Sequence, residues 1–245
     1  MAYKSELVKP YNTGYTKKEE ILRMFNSIAP NYDRLNGFLS LGIDDYWRRC
    51  SLSMLKSYNP QHVLDIATGT GDFAILAEKI LKPKRIIGID ISERMMAVGR
   101  EKVRSRGLQQ IITFDKQDCS ELTFSDNSFD AATVAFGVRN FEYIDKSFQE
   151  VLRILKPRGV FLFLELSEPQ KKLIKHLYHF YEKWVMRLLS RVVKTEKKAY
   201  DYLPESIEAF PQGHEMVQIL KNNGFKNVRM RRFTLGVCTL YIAEK

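Results

Sequence analysis

Val63-Leu64-Asp65-Ile66-Ala67-Thr68-Gly69-Thr70-Gly71-Asp72 sets a carboxylate inside an apolar run and follows it with two closely spaced glycines. Phe73, Ala74, Leu76 and Ala77 then recur with helical period, so the stretch reads as strand, tight turn and helix. Gly69 and Gly71 carry no Cβ and let the backbone approach a ligand closely. A second apolar strand, Arg85-Ile86-Ile87-Gly88-Ile89-Asp90, ends in another carboxylate about 20 residues on, where nucleoside-binding folds place a partner for ribose hydroxyls. Two cofactor classes fit. Gly69, Gly71 and Ala74 satisfy the loose dinucleotide fingerprint. Asp65 favours S-adenosylmethionine (SAM): a carboxylate on that strand repels pyrophosphate, and it suits an ammonium or sulfonium, directly or through hydrogen bonds to the loop.

Further candidates follow at the same sheet edge. After a third apolar run, Gln117-Asp118-Cys119 brings a carboxylate able to accept from the exocyclic amine of adenine. Asp65, Asp90 and Asp118 therefore end successive strands as one constellation. A fourth run ends in Ala135-Phe136-Gly137-Val138-Arg139-Asn140. Gly137 permits a sharp turn, after which Arg139 and Asn140 face the cleft. Arginine is always charged and suits an oxyanion.

These residues need a scaffold, and the periodicities supply one. Up to about residue 59 the chain reads as helices: 17–28 with Ile21, Leu22, Phe25 and Ile28 on one face, a turn at 36–42, and a helix to about 57 capped by Asp44 or Asp45. Then come strand 63–67, helix 72–81, strand 85–90, helix 93–106, strand 111–116, strand 129–136, helix 145–156 and strand 160–165. Lys156-Pro157-Arg158-Gly159 separates the last two. A helical insert over about 170–195, a helix at 213–223 and a hairpin from 227–233 and 236–243 complete the chain. The alternation predicts an α/β, doubly wound, mostly parallel sheet. One domain, 1–245, is expected, divided into a helical N-terminal lid (1–59), a SAM-binding core (60–168), a helical insert or substrate lid (169–212) and a closing helix and hairpin (213–245).

The composition is that of a globular chain of 245 residues with 44% hydrophobic and 28% charged content. No apolar run approaches the ~20 residues needed to span a bilayer, and the polar start lacks a secretory apolar core. Cys50, Cys119 and Cys238 have neither disulfide nor zinc spacing, which points to a reducing cytoplasm; no metal is expected. The net charge is +10, and nine Lys/Arg against two Glu fall within 171–198. Ile174, Leu177, Tyr181, Trp184, Leu188 and Val192 recur there at helical spacing, with Lys175, His179, Lys183 and Arg187 largely elsewhere. That is a basic amphipathic helix, read as a lid over the core that also suits an anionic membrane surface. No nucleic-acid module accompanies the charge.

Beyond the glycine turn, the chain resembles the ubiquinone/menaquinone biosynthesis C-methyltransferases over nearly its whole length. Tyr32-Asp33-Arg34-Leu35-Asn36-Gly37-Phe38-Leu39-Ser40-Leu41-Gly42-Ile43-Asp44-Asp45-Tyr46-Trp47 is similar to the family's Y-D-x-M-N-x-x-[apolar]-S-x-x-x-H-x-x-W, with Leu35 for Met and Asp44 for His. Phe136-Gly137-Val138-Arg139-Asn140 resembles F-G-x-R-N. Arg153-Ile154-Leu155-Lys156-Pro157-Arg158-Gly159 resembles R-V-L-K-P-G-G, with Arg158 for a Gly at a turn that favours positive φ. Tyr200-Asp201-Tyr202-Leu203-Pro204, Ser206-Ile207 and Phe210-Pro211 resemble Y-x-Y-L-P-x-S-I-x-x-F-P. Ala135 stands where many members have a Ser that contacts SAM.

The resemblance implies a Rossmann-like class I SAM methyltransferase with a seven-stranded sheet closed by an antiparallel strand. By carry-over, Thr70, Asp90, Asp118 and Cys119 are SAM-contact positions, beside Asp65, Gly69 and Gly71. Thr70 offers a hydroxyl or amide to the methionine carboxylate; Cys119 offers backbone. The implied reaction is methyl transfer to a ring carbon of a reduced polyprenyl quinone, most simply demethylmenaquinol. Arg139 and Asn140 would stabilise the ring oxygen or order a water that takes its proton, with Tyr32 closing from the lid. His214 is the one histidine worth testing as a base. The implied partners are a prenylated quinol and peripheral contact with an anionic membrane, at the cytoplasmic face; nucleic acid is not expected, and a homodimer is an allowed assembly. Alternatives are a ubiquinone-pathway benzoquinol or dual-function enzyme, a SAM methyltransferase for another small molecule or sterol-like lipid, a dinucleotide oxidoreductase, and a non-catalytic SAM- or nucleic-acid-binding protein.

Overall fold

A computed structural model of the chain describes residues 2–178, 180 and 197–245. Seven strands form one sheet in the order β3-β2-β1-β4-β5-β7-β6: β1 His62–Ile66, β2 Arg85–Asp90, β3 Ile112–Lys116, β4 Phe129–Ala135, β5 Leu155–Leu166, β6 Lys226–Phe233 and β7 Cys238–Glu244. The first five run parallel, and β7 lies antiparallel between β5 and β6. Strand order reverses at β1/β4, the switch point where such sheets open a ligand crevice at their carboxyl ends.

Helices cover both faces: α1 Lys4–Leu7, α2 Lys17–Ile28, α3 Tyr32–Ser40, α4 Ile43–Leu55, α5 Asp72–Leu81, α6 Glu93–Ser105, α7 Ile144–Ile154, α8 at 172–178, α9 Lys197–Ala209 and α10 His214–Asn222. Two-residue alternation in β5 feeds both cores. Phe161 and Phe163 pack with Phe148, Phe225 and Tyr241 on one face, and Leu162 and Leu164 with Leu52, Phe73 and Leu240 on the other. Central strands buried on both sides need continuous apolar runs, and Val63, Leu64 and Ile66 supply one.

Four local expectations change. Residues 36–40 are helical, because α3 runs from Tyr32 to Ser40; Asp33 in its first turn pairs with Lys102 Nζ at 2.6 Å, which ties the helix to α6. Gly42 (φ 78), and neither Asp44 nor Asp45, is the residue that starts α4; Asp44 instead accepts from Ser40 Oγ at 2.6 Å. Lys156-Pro157-Arg158-Gly159 lies inside β5, where the pairing register to β4 shifts, and Arg158 takes φ 65 itself. The closing hairpin turns through a short 3-10 segment, Thr234–Gly236, longer than the two residues expected. Of the expected helical insert over 170–195, only residues up to 178, with α8, and residue 180 are described; His179 and the stretch with Tyr181, Lys183, Trp184, Arg187, Leu188 and Val192 lie outside the described residues.

Candidate active site

The β1–α5 turn opens the site. Ala67 (φ 51), Gly69 (φ 56) and Gly71 (φ 78) all take left-handed conformations. A Cβ on Gly71 would sit 2.8 Å from the Phe114 ring, so only glycine fits there. Asp65 is buried beneath the turn, and each of its oxygens accepts a threonine hydroxyl, Thr68 at 2.6 Å and Thr133 at 2.8 Å. Burial pushes its carboxyl up to about 6, against the pull of those two donors. Asp90 accepts from the Gly69 amide at 2.9 Å and the Ser92 amide at 2.8 Å, and desolvation raises its pKa as well.

Asp90 and Asp118 line one cleft with Gly69, Cys119, Gly137 and Asn140. Asp118 accepts from the Ser120 amide at 2.8 Å and pairs with Lys18 Nζ at 2.7 Å. Desolvation opposes its charge, but Lys18 and Ser120 outweigh it and hold the carboxyl below its usual range. The Cys119 thiol is buried and its pKa raised by desolvation, so a thiolate has no place there. The Thr70 hydroxyl is committed elsewhere: it donates to Asp33 at 2.6 Å and accepts from Lys102 at 3.0 Å, locking α3 onto the glycine turn. Its side chain is therefore not spare for a carboxylate.

Arg139 is buried and joined to Glu165 by a 2.6 Å ion pair. The same Nη1 donates to Phe136 O at 2.6 Å, and the Arg139 amide donates to the other Glu165 oxygen at 3.1 Å. Nε has no hydrogen-bond partner among the described residues. Burial alone would lower the guanidinium pKa; Glu165 and two nearby tyrosines leave it raised. Asn140 Oδ1 accepts from the buried Tyr202 hydroxyl at 2.9 Å, which leaves its amide N–H groups for the cleft. Lys17, fully buried, holds this turn from below, donating to Arg139 O at 2.7 Å, Phe141 O at 3.1 Å and Ser5 O at 2.6 Å; burial lowers its pKa to about 7.

A second cavity, about 700 Å³ and largely apolar, runs from Arg139 and Trp47 past Leu166, Ile174, Leu177 and Ile207 to the surface. Tyr32 and Phe136 line both cavities, so the two spaces meet there. Desolvation raises the Tyr32 hydroxyl pKa. His62, His176 and His214 line neither cavity. Glu165, Lys17 and Arg48 were not singled out from sequence. A lone Glu in the apolar run Phe161-Leu162-Phe163-Leu164-Glu165-Leu166 is the one legible signal, since a buried carboxylate needs a cation.

The donor set suits SAM. Three strand-end carboxylates line the polar end, Asp90 and Asp118 in the cleft and Asp65 in the space beneath the glycine turn. The model of the ubiE/COQ5 methyltransferase family matches residues 13–245. The chain belongs to this family. A demethylmenaquinone methyltransferase of Bacteroides fragilis is 49% identical over 245 residues, covering 100% of both chains. One of Porphyromonas gingivalis is 42% identical over 98% of each. Among solved structures, a SAM-dependent methyltransferase from Thermotoga maritima, described as a possible histamine N-methyltransferase, superposes with a TM-score of 0.59 at 18% identity, over 91% of this chain and 99% of that one. That likeness shows the shared Rossmann-like fold.

Proposed function

We propose that this ubiE/COQ5 family member transfers the methyl group of SAM to a ring carbon of a reduced prenylated quinone, demethylmenaquinol. The observation that carries this reading is the junction at Tyr32 and Phe136, where a polar nucleoside cleft opens into a long apolar cavity. Bound SAM supplies an electrophilic methyl group on a sulfonium. The chain must make a ring carbon nucleophilic, hold it in line and keep water away. A quinol carbon gains that character when a ring hydroxyl loses its proton. Arg139, anchored by Glu165 with its Nε unpaired, stabilises the oxygen as it becomes anionic. Asn140, its carbonyl held by Tyr202, donates to the same oxygen or to the water that takes the proton. Tyr32 closes the junction, packed edge-on against Phe25 of α2 at 6.0 Å.

Trp47 lines the apolar cavity and reports on it. A naphthoquinone should quench its emission saturably, and W47F should remove most of that signal. No saturable quenching would exclude the cavity as the acceptor site.

A prenyl tail also gives the cavity mouth a purpose. Leu41 (φ 50) and Leu235 (φ 58) are left-handed turn residues, 75% and 72% exposed, and both line the mouth with Leu177. Exposed Lys171, Lys172, Arg231 and Arg232 flank these segments. Strained, solvated leucines beside cations fit the surface of an anionic bilayer. Among the described residues no helix is long and apolar enough to cross a membrane. A Leu41→Asp, Leu235→Asp variant should stop sedimenting with anionic vesicles and keep turnover on a short-tailed acceptor; unchanged sedimentation would refute the contact.

A further inference from the structure

Arg48 is a cation without a full set of partners. It stands on α4 of the lid, its side chain 12% exposed, and its buried Nε has no hydrogen-bond partner among the described residues. Its one ion pair among the described residues, to Asp44 Oδ2, is long at 3.4 Å, and its guanidinium lies 5.5 Å over the Phe136 ring. A buried N–H left unpaired is costly, so the position calls for an acceptor that arrives with a ligand.

The surroundings say which kind. Arg48 lines a small compartment with Asp65, Thr68, Gly69, Thr70 and Tyr32. The compartment shares Tyr32, Ala67, Gly69 and Ala135 with the nucleoside cleft, so the two are continuous. It therefore sets one unsatisfied cation across from one buried carboxylate. Asp72, its other acid, is already paired with Lys102 at 2.6 Å. A cation and an anion facing each other beside a nucleoside site match the two charges of an α-amino-acid head group. Thr70, the side chain expected from sequence to meet that carboxylate, is turned away to Asp33 and Lys102.

We infer that Arg48 anchors the carboxylate of the methyl donor's amino-acid head group, with Asp65 and the turn above it on the ammonium side. The inference rests on SAM as donor. It gives α4 a direct hold on the donor, and so makes the lid part of the donor site. Charge-assisted Arg–carboxylate hydrogen bonds are shorter and stronger than neutral ones, so the pair is a strong anchor for a head group.

Calorimetric titration separates the head group from the nucleoside. S-adenosylhomocysteine carries the amino acid; methylthioadenosine lacks it. Arg48→Met should weaken the first by roughly 10- to 100-fold and leave the second unchanged, which also reports an intact cleft. Arg48→Lys should recover part of the loss. An unchanged affinity for S-adenosylhomocysteine in Arg48→Met, or an equal loss for both ligands, would overturn the assignment. If the unaltered chain bound methylthioadenosine and S-adenosylhomocysteine equally, the head-group site itself would be refuted while the nucleoside reading stood. Binding of neither would overturn both.

Discussion

Replacing Asp65 by Asn should make the protein more stable and a worse binder of its donor. The carboxyl titrates near 6 in the fold and at 3.8 when unfolded, because burial penalises the charge more than Thr68 and Thr133 repay it. Between those values the folded state holds more protons than the unfolded one, so stability is highest below 3.8 and falls as pH rises through about 6. At about 1.4 kcal/mol per tenfold in acidity, the ionised carboxylate costs about 3 kcal/mol above that pH. Asn cannot ionise, but one threonine hydroxyl must give up its acceptor, a loss of about 1 kcal/mol. The net gain is about 2 kcal/mol at neutral pH, which for a chain of this length raises the melting temperature by about 4 °C. Denaturant unfolding at about pH 4 and about pH 7.5 checks the sign: the variant should be slightly weaker at the first and stronger at the second. Binding of S-adenosylhomocysteine should fall by about tenfold or more. A variant less stable at neutral pH, or a difference independent of pH, would refute the reading of Asp65 as a charge kept at a cost for the ligand.

Glu165→Gln should strand the buried Arg139 guanidinium, cost about 3–5 kcal/mol in denaturant unfolding and lower kcat more than it raises the donor's KM. Gly71→Ala should lose about 2–3 kcal/mol, read as a lower melting temperature. The Phe114 ring cannot retreat from the new methyl, because it already packs against Gly88 and Gly99 as well. Arg158→Gly should gain about 0.5–1 kcal/mol by relieving φ 65 at the exposed register shift of β5, and a loss in thermal unfolding would show that the arginine side chain holds this segment.

The parallel core was legible because its signals are short-range: α5 and β2 fall at 72–81 and 85–90 as read, where apolar period and glycine placement agree. α3 was not, because Asn36 and Gly37 argue for a turn locally while Asp33, gripped by Thr70 and Lys102, keeps the segment helical. The start of α4 was misread because two aspartates outweigh a glycine in capping preference, although only glycine adopts φ 78 at no cost. At the site, Asp65, Asp90, Asp118, Arg139 and Asn140 do converge around the carboxyl end of the sheet. What sequence could not carry is who satisfies whom. Glu165 lies 26 residues from Arg139 and Tyr202 lies 62 from Asn140, and the buried Lys17 holds three carbonyls from two other segments. Such partners are set by packing and leave no pattern in the chain.

The most direct test is methyl transfer from labelled SAM to reduced prenylated quinols, one demethylmenaquinol and one benzoquinol precursor, with products resolved by mass. Label in the naphthoquinol ring, lost in Arg139→Ala while S-adenosylhomocysteine still binds, is the expected result. Donor binding without label in the naphthoquinol would contradict the proposed reaction.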